Sequence, residues 1–111
     1  MAKLATQSIT ITISCKSGQC HYDASGTVNN GGTVTFTAHH NSGGANINPL
    51  PSILSDTSEL NLDAGHSSSP LTVILPSDTT PGDYTYTFGY KCLKTQGCKP
   101  ANDEGEFTVQ E

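Results

Sequence analysis

Ile9, Ile11 and Ile13 alternate with Thr10, Thr12 and Ser14, a period of two that gives an extended segment one apolar face. The same period returns at Val34, Phe36 and Ala38 and at Leu71, Val73 and Leu75. It is strongest where Tyr84, Tyr86, Phe88 and Tyr90 share one face, which reads as core in a central strand. Residues 22–28 read as a short strand, Leu60 and Leu62 start another, and Phe107 with Val109 closes the chain as a last one. Turn chemistry lies between them: Gly18 in the loop from Cys15 to Cys20, Asn29-Asn30-Gly31-Gly32, a polar loop over residues 39–46, Ala64-Gly65, residues 77–82, and a loop over residues 97–105. Pro49 and Pro51 keep a central strand out of residues 47–57, which predicts an irregular crossover with one helical turn around residues 52–55. No segment holds a helical period, and no repeat is present. Seven or eight short strands at this spacing predict an all-β fold, a two-sheet Greek-key sandwich over residues 8–111 behind an N-terminal arm of residues 1–7.

Composition narrows the classes. The 111 residues suffice for one core. They are 33% hydrophobic and only 14% charged, so the polar positions are mostly uncharged, which argues for loops and strands rather than a disordered polyelectrolyte. Net charge is −5, with five lysines, no arginine, and Lys91, Lys94 and Lys99 the one local concentration; nucleic acid is therefore not expected as a partner. No apolar run reaches membrane-spanning length, and no signal peptide is legible behind Met1-Ala2-Lys3-Leu4.

Four cysteines at C-x4-C and C-x5-C spacing suggest a disulfide framework and an oxidising, extracytoplasmic compartment. Each short loop brings its own ends near, which favours the pairs Cys15–Cys20 and Cys92–Cys98. A four-thiolate zinc site is the rival, although both spacings exceed that of zinc knuckles.

Two resemblances follow. Ser14-Cys15-Lys16 and Gly89-Tyr90-Lys91-Cys92 look like the two cysteine strands of an immunoglobulin domain, which would imply a bridge from Cys15 to Cys92 and an adhesion module. No tryptophan is present to pack on that bridge. The other covers more of the chain. Gly31-Gly32-Thr33-Val34-Thr35-Phe36, Leu62-Asp63-Ala64-Gly65 before Leu71-Thr72-Val73-Ile74-Leu75, Pro81-Gly82-Asp83-Tyr84-Thr85-Tyr86 and Gly105-Glu106-Phe107-Thr108-Val109 resemble, in order, segments of plastocyanin-like cupredoxins. That resemblance implies a cupredoxin-like sandwich whose loops after strands 1, 3, 5 and 7 meet at one pole. It also implies the loss of type 1 copper. Ala45 falls where the first histidine ligand would be, Phe88 where the cysteine would close its strand, and Met1 is the sole methionine.

The same pole would gather His21, His39, His40 and His66 with all four cysteines. Imidazole is the commonest metal ligand, so weak binding of Cu, Ni or Zn by these histidines is the second reading; the plain alternative is four solvated loop side chains, with adjacent His39 and His40 pointing to opposite faces. Asp103-Glu104-Gly105-Glu106 lacks calcium-loop spacing and reads as a solvated turn. Ser67-Ser68-Ser69 has no nucleophile elbow, and no thiol-oxidoreductase or phosphate-loop motif occurs. The expectation is a non-enzymatic extracytoplasmic binding or structural module without a cofactor, acting on a protein or surface ligand, with self-association through an uncovered sheet edge as a further route.

Overall fold

The computed structural model describes residues 5–93, Cys98 and residues 103–111. The first four residues of the expected arm, Lys94, Lys99 and most of the expected loop before residue 103 lie outside the described residues. Among the described residues eight strands follow one another: β1 (Thr6–Lys16), β2 (Gln19–Ala24), β3 (Val28–Ala38), β4 (Ala45–Ile47), β5 (Leu60–Leu62), β6 (Leu71–Thr72), β7 (Asp83–Cys92) and β8 (Asp103–Gln110). Among the described residues the one helical element is a 3-10 turn, His40–Ser42.

The strands form one mixed sheet in the order β2-β1-β3-β8-β7-β4-β5, with β6 also paired to β3. β1 and β2 make a tight hairpin through Ser17 and Gly18, both at positive φ (52° and 76°), the left-handed geometry such two-residue turns require. β3 then returns along the other side of β1, parallel to it. Its far edge is shared: Val28 and Asn29 pair with β8, and Thr33 and Val34 pair with β6.

The expected turn at Asn29-Asn30-Gly31-Gly32 is instead a kink inside β3. The register with β1 jumps from Thr6↔Val28 to Ser8↔Thr33, so β3 carries extra residues there, and Gly31 takes a φ of 86°. A side chain on Gly32 would collide with the Gln7 carbonyl oxygen at 2.5 Å, so the close approach of β1 and β3 demands glycine. The helical turn expected at residues 52–55 is reduced to a single hydrogen-bonded turn, Leu54 N–H to Pro51 O at 3.2 Å, where Leu54 also bridges Val73. Ala45–Ile47 is a strand, β4, where a loop running into a crossover was expected, because it is held between β5 and β7. Asp103-Glu104-Gly105-Glu106 opens β8 rather than forming a solvated turn, because the β7–β8 ladder runs unbroken from Tyr90↔Asp103 to Asp83↔Gln110.

Strands far apart in this order touch through their side chains. Phe88 of β7 meets Phe36 of β3 at a ring-centroid distance of 5.2 Å and Tyr22 of β2 at 5.5 Å, both edge to face. Around them Ile9, Ile11, Ile13, Val34 and Phe107 are buried, the faces that the period-two pattern selects.

The disulfides depart from the local pairing. Cys15 is bonded to Cys98 and Cys20 to Cys92, with Cα separations of 6.1 and 5.8 Å. Cys92 continues the inward alternation of Phe88 and Tyr90, and Cys20 that of Tyr22, so the two thiols face each other across the core; sequence proximity is overruled by side-chain direction. This also removes the bridge from Cys15 to Cys92 that an immunoglobulin domain would carry, and leaves no thiolate of the four for a zinc site.

Candidate functional site

The loops after β1, β3, β5 and β7 are tied together by hydrogen bonds and disulfides. His39 N–H donates to Ile13 O at 2.8 Å, Ala38 N–H to His66 O at 2.9 Å, and Gly65 N–H to Ala38 O at 2.7 Å. The Asn41 side chain accepts from Cys15 N–H at 3.0 Å and donates to Cys15 O at 3.2 Å. Leu93 N–H reaches Gly44 O at 3.0 Å. Cys15–Cys98 and Cys20–Cys92 fasten the hairpin to the chain at and beyond the end of β7.

Within this end the histidines are only partly assembled. His39 and His40 do not point to opposite faces: their rings lie 4.1 Å apart, because the backbone leaves β3 and enters the 3-10 turn at His40, where strand alternation stops. His39 Nδ1 accepts the Asn41 N–H at 3.2 Å, so that lone pair is already engaged. His66 Nδ1 stands 3.9 Å from Asp63 Oδ2, with both side chains largely exposed, a contact of little energetic weight. His21 sits opposite Ser14 on the hairpin. Among the described residues no group of three or more His, Cys, Asp or Glu side chains is placed to hold a metal ion.

Phe88 lies within β7 rather than at its close, since the strand runs on to Cys92. Its buried ring contacts Tyr22, Phe36, Tyr90 and Phe107, so this position serves the core. Ala45 is likewise buried, paired with Cys92. Ser68 Oγ accepts the Phe36 N–H at 3.0 Å and Ser67 Oγ lies 2.7 Å from Thr37 Oγ1, so these serines fasten a loop to β3. The tyrosine face is core-directed, as the alternation predicts, with Tyr84 and Tyr86 packed against the buried cluster. Burial, with smaller contributions from Asp103 and Tyr22, pushes the Tyr90 hydroxyl above its ordinary pKa, and that hydroxyl donates to Cys20 O at 3.4 Å.

Elsewhere the described residues line two further recesses. One, about 480 Å³, crosses β4, β7 and the start of β8, past Asn46, Glu59, Lys91 and Glu104. Its largely buried Asn46 donates to Glu59 Oε2 and Asn61 Oδ1, each at 2.9 Å. The other, about 450 Å³, is a slot between Tyr22 and Ala24 of β2 on one side and Glu106, Phe107 and Thr108 of β8 on the other. The period-two pattern marks Phe107 as inward, but nothing in the sequence shows that β2 and β8 flank a common opening. Comparison of the chain with protein families, curated proteins and solved structures gives no match.

Proposed function

We propose that this chain is a non-enzymatic, extracytoplasmic binding module built on a two-layer Greek-key sandwich of cupredoxin-like arrangement, without a type 1 copper site. The strand order falls into two groups, β2-β1-β3-β6 and β8-β7-β4-β5, joined among the described residues by a backbone ladder only where Val28 and Asn29 meet Val109 and Gln110, and in contact through Phe36, Tyr22 and Phe88. The convergence of the loops after β1, β3, β5 and β7 agrees with the same reading.

The observation that carries it is the pair of long-range disulfides, spanning 83 and 72 residues. Both cross-link the hairpin to the far end of the chain, which suits a small domain that keeps a rigid surface in an oxidising compartment. Among the described residues no helix is long and apolar enough to cross a membrane. Titration of the oxidised protein with Cu(II) and Zn(II), read by visible absorption and histidine NMR signals, tests the assignment. The expected result is no intense blue band and no histidine shift below millimolar metal; a stoichiometric blue complex would sink it.

A further inference from the structure

We infer that the open edge of β8 receives an extended, cationic peptide strand, seated in the slot against β2; this rests on the binding-module reading and names its partner class. The backbone directions set the edge. Gly89 N–H donates to Pro49 O and Gly89 O accepts the Asn48 N–H, so Gly89 faces away from β8. Its partner across the ladder is Glu104, which makes Gly89↔Glu104 a non-hydrogen-bonded pair. At the other end Glu111 N–H donates to Gly82 O at 2.9 Å, which fixes the same alternation. Gly105, Phe107 and Val109 therefore bond to β7, and Glu104, Glu106 and Thr108 turn their backbone groups outward. β3 takes over at Val109 and Gln110, and its parallel ladder already engages the Thr108 carbonyl, so residues 104–107 are the free run, about 14 Å of strand.

β2 presents the matching wall. Ser25 N–H donates to Thr10 O, which places Gln19, His21 and Asp23 toward β1 and turns the backbone of Tyr22 and Ala24 away from it. Among the described residues neither these two nor Glu104 and Glu106 have a backbone hydrogen-bond partner on their outward side. The slot between the edges, about 450 Å³, takes in Glu106, Phe107 and Thr108 of this edge, with Tyr22 opposite them in its lining.

Charge selects the occupant. The exposed Glu104 and Glu106 flank the edge, and among the described residues neither takes part in an ion pair. A second copy of this chain, net −5, would set glutamate against glutamate in a β8–β8 pairing, which is unfavourable. A strand added to β8 would place alternate residues beside Glu104 and Glu106 and the intervening ones over Phe107. The fitting sequence therefore alternates basic and apolar residues.

The test uses the oxidised full chain, isotopically labelled, and the synthetic peptide Lys-Val-Lys-Val-Lys-Val-Lys. Expected are amide shifts centred on residues 104–107 and Tyr22, slowed hydrogen exchange at Glu106, and at least tenfold weaker binding of the Glu-Val counterpart. Glu106→Pro, which removes an outward N–H on an edge strand, should weaken binding at least tenfold. The double variant Glu104→Lys/Glu106→Lys should reverse the peptide preference, and serves if the proline variant does not fold. Equal binding of both peptides, shifts centred on the His39–His66 end, no binding at all, or dimerisation of the chain through β8 would each overturn the proposal. None of these results touches the module reading, which falls instead to the copper titration above.

Discussion

The Phe88 ring occupies the space that a side chain at Gly105 would need: a Cβ there would stand 2.5 Å from Phe88 Cζ and 2.9 Å from Phe88 Cε2. The two residues are paired across the β7–β8 ladder, so the glycine lets the fully buried ring of Phe88 lie over the neighbouring strand. Gly105→Ala is expected to destabilise the fold by about 1–3 kcal/mol through overpacking. Urea unfolding measures it. Combining it with Phe88→Leu should give a loss smaller than the sum of the two single changes, since the residues share one space.

Removing the ring itself should cost more. Phe88 touches four other aromatic side chains, so Phe88→Ala leaves a cavity whose lining comes from β2, β3, β7 and β8. The expected loss is about 3–5 kcal/mol. A loss below about 1 kcal/mol in the same unfolding assay would contradict the core role assigned here.

The disulfides yield a mapping and a stability prediction. Non-reducing peptide mapping should recover Cys15 linked to Cys98 and Cys20 linked to Cys92. In the chain-entropy picture the first of these loops to close stabilises the fold by about 4.5 kcal/mol and the second by less, because its ends are already held near. Cys20→Ala/Cys92→Ala should lower the unfolding midpoint strongly, and peptides joining Cys15 to Cys20 should not occur.

Tyr90 sets an alkaline limit. Its pKa is raised in the folded state, chiefly by burial, above the ordinary tyrosine value of about 10. A raised pKa means the folded state holds the proton more tightly than the unfolded one. The corresponding stability is fully present below pH ~10 and is lost as pH rises through the folded-state value. Tyr90→Phe should remove this share of the alkaline decline, read as unfolding midpoint against pH from 8 to 12. Ultraviolet titration of tyrosinate should show a late-ionising group in the native chain that Tyr90→Phe lacks.

How much of this was legible in the chain differs by element. The inward faces of β1, the second half of β3 and β7 are written in strict alternation, and the structure buries them accordingly. β4 was not legible, since three residues carry no period and Ala45–Ile47 is extended only because β5 and β7 flank it. The start of β8 looked like a turn because Asp, Glu and Gly are poor strand formers, and tertiary pairing with β7 overrides that preference. Cysteine spacing pointed to local bridges, whereas the alternation of Cys92 with Phe88 and Tyr90 already held the better clue. For the candidate site the sequence yielded the four histidines but not their separation, and neither strand edge around the slot can be read without the fold.

β3 has a consequence for how the molecule comes apart. One continuous strand is stitched to β8 at Val28 and Asn29, to β1 on both sides of the glycine kink, and to β6 beyond it. The strands on either side of β3 in the sheet order cannot separate without breaking one of its ladders. Loss of structure should therefore proceed in a single cooperative step, and a fragment ending near the kink would leave β1 and β8 without the strand that joins them.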